Sequence, residues 1–134
     1  TPIYDGSSRL FVPSEADLAY SGSRRLRNIS VDGSILLCGT WTVRDEVELG
    51  ESAVFEMRGV LVVARNSRRR NITVGANATL RIEGDLTVYG DLILEEGASL
   101  EFLGDSSRVN IFGDVISDDS ATVSGDFDDV QNKF

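Results

Sequence analysis

Three kinds of stretch in this 134-residue chain have residue types that could do chemistry: five Gly-Asp pairs, three Asn-x-Ser/Thr sequons and one arginine-rich run. The pairs are Gly84-Asp85, Gly90-Asp91, Gly104-Asp105, Gly113-Asp114 and Gly125-Asp126. Recurrent carboxylates are what a calcium site or a glycosidase would need. The Gly-Gly-x-Gly-x-Asp calcium repeat is absent, and no two carboxylates stand out as a pair flanking a sugar. Glycine allows positive φ at a tight corner, and aspartate bonds nearby backbone amides. The pairs therefore read as turns. The chain has no His, which removes the commonest general base and metal ligand. The expectation is a protein that is not an enzyme and has no catalytic residue, metal or cofactor.

The sequons begin at Asn28, Asn71 and Asn77, each at or just before an apolar run where exposure is expected. They predict glycosylation and, with it, a secreted or cell-surface location. A start at Thr1 and a single Met, Met57, fit a processed secreted protein or a trimmed one. Arg65, Arg68, Arg69 and Arg70 form a basic loop between Val63 and Ile72. Such a loop suits phosphate, a sulfated glycan or a dibasic protease, or it is simply solvated. A net charge of −9 and the lack of interleaved aromatics argue against nucleic acid. No apolar run approaches the roughly 18 residues of a membrane span. Cys38 is the only cysteine. It reads as a small buried residue or, alternatively, as a bridge between chains.

Positioning falls to short strands. Between Leu80 and Phe102 four apolar-x-apolar triplets follow one another: Leu80-Arg81-Ile82, Leu86-Thr87-Val88, Leu92-Ile93-Leu94 and Leu100-Glu101-Phe102. Alternation puts the outer residues of each on one face, and the gaps are too short for crossover helices. Gly39, Gly59, Gly84, Gly104 and Gly125 recur at intervals of 20, 25, 20 and 21 residues. About 20 residues with three short strands make one coil of a parallel β-helix. The long interval holds the arginine run. The fold class is thus all-β: a single-stranded parallel β-helix, or β-solenoid, of about five coils, with an N-terminal cap or arm. A jelly roll is the rival fold. Residues 1–25 are the cap or intersubunit arm, 26–125 the solenoid body and 126–134 a tail. Within the first segment, Pro13 to Tyr20 reads as a two-turn helix N-capped by Ser14, with Asp17 at N3. Ile3, Tyr4, Leu10, Phe11 and Val12 would supply the arm. Outward apolar residues Leu36, Leu61, Ile93 and Ile116 would form a sticky stripe.

The run Leu92-Ile93-Leu94-Glu95-Glu96-Gly97-Ala98-Ser99-Leu100, with Val109-Asn110-Ile111-Phe112-Gly113-Asp114, is similar to coils of secreted adhesin passengers. It also resembles bactofilins, small β-helix proteins that polymerise end to end. The resemblance covers Ile29 to Gly125. Towards adhesins it implies a surface module, and towards bactofilins a cytoplasmic polymer. Three functions follow as expectations. The first is a glycosylated structural subunit of a self-assembling fibre, filament or surface layer, with copies of itself as partner. The second is a carbohydrate-binding or adhesive module that meets surface glycans. The third is a polysaccharide-active enzyme of pectin-lyase-like fold.

Overall fold

The computed structural model describes residues 9–63, 71–105 and 107–134, and the backbone of 3–4. The basic loop of Arg65, Arg68, Arg69 and Arg70 lies outside the described residues. The strands are β1 (Ile3–Tyr4), β2 (Arg9–Val12), β3 (Asp17–Val31), β4 (Ser34–Leu49), β5 (Val54–Val63), β6 (Ile72–Val74), β7 (Thr79–Val88), β8 (Leu92–Leu94), β9 (Ser99–Phe102), β10 (Ser107–Ile111), β11 (Val115–Ser117), β12 (Thr122–Ser124) and β13 (Phe127–Asp129). Apart from the antiparallel β1–β2 contact, every pairing is parallel and joins one turn of the chain to the next. The chain is a parallel β-solenoid of about six turns, roughly 29 Å long at about 4.8 Å per rung.

The rungs stack in three sets. In the first, Leu10, Ile29, Val47, Ile72, Leu92 and Val115 lie one above another. The second aligns Leu18, Ile35, Phe55, Leu80, Leu100 and Val123. The third aligns Arg24, Trp41, Leu61, Leu86, Val109 and Asp129. Interior members of each column are buried, while most members of the first and last rungs are not. Leu80, Ile82, Leu86, Val88, Leu92, Leu94, Leu100 and Phe102 all face the core, with Arg81, Thr87 and Glu101 turned outward. On the outer surface Arg81 bonds Glu101 on the next rung at 2.9 Å, and Arg58 lies 2.7 Å from Glu56 and 3.6 Å from Glu83. Such exposed pairs contribute less than about 1 kcal/mol each. The stacked apolar columns carry the stability.

Two corners recur. Gly22, Gly39, Gly59 and Gly84 pair directly, one above the next. At the other corner Glu15, Ser52, Asn77 and Gly97 take positive φ. Each is followed by an alanine whose N–H closes the turn on the carbonyl three residues back, as Ala53 does on Gly50 and Ala78 on Gly75. Ala53, Ala78 and Ala98 are fully buried. A methyl is what fits where the chain bends closest to the axis.

Several expectations need correction. The rungs begin at Arg9, not Leu26, which raises the count from five coils to about six. Leu10 and Val12, expected on an intersubunit arm, are 0% exposed in the chain's own core. Pairing of Arg9–Val12 with Asn28–Val31 holds them there. Pro13 to Tyr20 is not a helix. Glu15 has φ 71, which no α-helix accommodates, and Leu18 and Tyr20 alternate as strand residues over Ile35 and Leu37. The tail supplies β13, the last strand of the last turn. Leu61 faces inward and leaves the outer stripe, because period-two alternation runs unbroken from Phe55 and Met57 through Gly59 to Leu61 and Val63, so that Val60 and Val62 point out.

Candidate functional site: the two ends of the solenoid

The Gly-Asp turns do more than bend the chain. Asp91 Oδ1 accepts the Asp114 N–H of the following turn at 2.8 Å, and Asn71 Oδ1 accepts the Asp91 N–H at 2.9 Å. These side chains stitch successive coils at one corner. Ser120 plays the same part elsewhere: its Oγ accepts the Gly97 N–H at 2.9 Å and lies 2.7 Å from Asp118 Oδ1, to which it donates. That hydroxyl, with the Ser120 N–H, holds the Asp118 carboxyl below the usual carboxylate range. No group of three or more His, Cys, Asp or Glu is placed to bind a metal among the described residues. A shallow depression of about 430 Å³ is lined by Ser30, Asp32, Glu48, Glu51, Thr73 and Glu95 among others. It gathers acids, with no basic side chain in its lining.

The sequon asparagines differ in setting. Asn77 is exposed, while Asn71 and Asn28 are half-buried. Asn71 is engaged in the coil-to-coil ladder. Asn28 Oδ1 is buried with no hydrogen-bond partner. Cys38 is half-buried rather than enclosed, at the corner beside the glycine column, and its carbonyl accepts the Trp41 Nε1–H at 3.1 Å. Of the expected stripe, Ile116 is exposed and Ile93 and Leu36 are half-buried. Phe11 of the expected arm points outward and is exposed. For Ile3 and Tyr4 only the backbone is described, paired antiparallel to Phe11 and Leu10.

The chemistry that remains is at the ends. At the C-terminal end β11, β12 and β13 each have a neighbour on one side only among the described residues. Their outer edges present N–H and C=O groups as a template for another strand, save the Asp129 carbonyl, which accepts the Asn132 N–H at 3.2 Å. Beside these edges stand Ile116 (52% exposed), Val123 (38%), Val130 (42%) and Phe134 (43%). Phe127 stacks on Phe102 at 4.4 Å, and Phe134 meets Phe127 edge-on at 5.1 Å, which covers part of the disc. At the N-terminal end the stretch of β3 from Asp17 to Leu26 pairs, among the described residues, with β4 alone. Leu18 and Tyr20 are half-buried there, and Arg24 and Arg25 are exposed. β1 covers the third edge, that of β2. Sequence reasoning places the live ends only in outline. Which residues occupy them depends on which rung is first and which is last.

These features define a parallel β-solenoid module with two unfinished ends. No protein-family model, curated protein or solved structure matches the chain, so its functional reading rests on its own geometry.

Proposed function

We propose that this chain is a non-enzymatic structural module that associates end to end with copies of itself, as the subunit of a fibre or surface layer. One observation carries the reading: the last turn leaves three strand edges unpaired, among the described residues, next to exposed Val123, Val130 and Phe134. Monomeric solenoids finish such an end with a polar cap. Here the turn of residues 130–134 covers only part of it. Gel filtration with negative-stain microscopy over a concentration series tests the proposal. Regular rods that lengthen with concentration are expected. A monomer at all concentrations would overturn it.

A secreted or cell-surface setting with glycosylation belongs to the same proposal, supported by the sequons. Glycopeptide mapping after expression through a eukaryotic secretory route is expected to find Asn77 most fully modified, because it is the exposed member of the three. Preferential modification of Asn28 would contradict that ranking.

A second reading, an adhesive module for surface glycans, draws support from one feature. Tyr89 and Phe112 stack with ring centroids 4.7 Å apart and planes within 2°, and both are exposed. Aromatic faces of this kind suit sugar rings. Glycan-array binding lost in Tyr89→Ala with Phe112→Ala would favour it over self-assembly.

A further inference from the structure

The two ends differ in charge, and their register matches. The first turn and the strand that leaves it carry Arg9, Arg24, Arg25 and Arg27 against Glu15 and Asp17. Arg27 is partly satisfied by Asp45 at 3.5 Å. The last turn carries Asp114, Asp118, Asp119, Asp126, Asp128 and Asp129, and Lys133 is the only cation after Arg108. One end of the rod is basic and the other strongly acidic, on a chain whose net charge is −9.

The columns say which residues would meet. In the third stack the inward column starts at Arg24 and ends at Asp129. Its outward neighbour runs Asp85, Arg108, Asp128 over the last three rungs, already alternating in sign. In a second copy placed one rung beyond the C-terminal end, Ser23 falls over Asp128. Its Arg24 falls over Asp129, and its Arg25 lies diagonally from Asp128, within reach of a long side chain. In the second stack its Leu18 falls over the exposed Val123. The exposed strand edges then pair as they do inside each subunit. Besides the turn of residues 130–134, whose Asn132 and Phe134 N–H groups bond the Asp129 carbonyl at 3.2 Å and its Oδ2 at 2.8 Å and must swing aside, β1 stands in the way, because it adds a rung to the first stack alone. It is held by two residue pairs, Ile3 with Phe11 and Tyr4 with Leu10, which a longer incoming strand can displace.

Resting on the end-to-end reading above, we propose that the partner surface is polar and self-complementary: the Asp-rich C-terminal rung of one copy seats on the Arg-bearing N-terminal rung of the next, with Asp129 opposite Arg24 and Asp128 diagonal to Arg25. The contact is heterologous, so it propagates instead of closing on a dimer. Opposite charges fix direction and register, while head-to-head and tail-to-tail contacts set like charges together.

The test uses two full-length variants, Arg25→Asp and Asp128→Arg. Both side chains are exposed and outward, so the core is untouched; circular dichroism checks that each folds as wild type. Sedimentation velocity is run on each alone and on an equimolar mixture, at low and at high salt. Arg25→Asp has two acidic ends and Asp128→Arg has its acidic end weakened. Each alone is expected to need about tenfold more protein to assemble than wild type. The mixture is expected to recover assembly, because the altered ends complement each other, and high salt is expected to erase these differences by screening. If wild type polymerises and both variants match it at low salt, the charge pairing is wrong while end-to-end assembly stands. If wild type stays monomeric throughout, the underlying reading fails as well. Should either single variant misfold, Arg25→Glu paired with Asp128→Lys repeats the test.

Discussion

Gly59→Ala is expected to destabilise the chain by about 4 kcal/mol or more, a large share of the 5–15 kcal/mol that holds a typical domain folded. Two costs add. Gly59 has φ +128, a conformation that side chains rarely adopt, and strain of that kind costs on the order of 1–3 kcal/mol. A Cβ built there would also lie 2.1 Å from the Gly39 carbonyl oxygen of the preceding rung. That oxygen belongs to the backbone and cannot swing aside, so the rungs must part. Gly22→Ala separates the two effects. Gly22 has φ +139, but nothing lies within 4 Å of the methyl that an alanine would place there. Its cost should be strain alone, about 1–3 kcal/mol. Urea unfolding followed by circular dichroism measures both. Equal losses at the two positions would mean that the glycine column does not stack as closely as described.

Trp41→Ala is expected to cost about 3–5 kcal/mol. Trp41 is the largest buried side chain, 1% exposed. It lies between Arg24 and Leu61 in the third stack, so its removal opens a cavity close to the N-terminal end. Trp41→Phe refills most of that volume but leaves the Cys38 carbonyl without the indole N–H it now accepts, for a loss of about 1–2 kcal/mol. The same unfolding measurement ranks the three proteins. A Phe variant as unstable as the Ala variant would show that the hydrogen bond outweighs the packing.

Much of this fold is legible in the sequence because its physics is local and repetitive. A residue that alternates in and out along a strand, such as Leu80 against Arg81, announces its side by its neighbours. The glycine corner announces itself by period in part: Gly39, Gly59 and Gly84 stack and Gly22 begins their column, whereas Gly104 and Gly125 fall outside it, since the next rung pairs Arg108 with Asp85. Residues 13–20 mislead for an equally local reason: Ser14 with Asp17 three positions on copies a helix N-cap, and only pairing of Leu18 with Ile35 in the next turn decides for strand. Leu61 misleads when Val60-Leu61-Val62 is read alone as a triplet with its middle residue outward; alternation counted from Phe55 and Met57 through Gly59 puts it inside. The coil-to-coil bonds of Asn71, Asp91 and Ser120 are not legible at all, since each joins residues about one turn apart and no spacing in the sequence marks the partner. The candidate site is legible as a type and not as residues. That a solenoid has two ends follows from its repeat; that Arg24 and Asp129 terminate the same column follows only from the complete register.

Helical reconstruction by electron cryomicroscopy of the assembled protein tests the central claim most directly. Strand density is expected to continue across every subunit junction at about 4.8 Å spacing, with an axial rise of roughly 29 Å per subunit and all subunits pointing the same way. Filaments in which rods associate side by side, or in which subunit direction alternates along the axis, would contradict it.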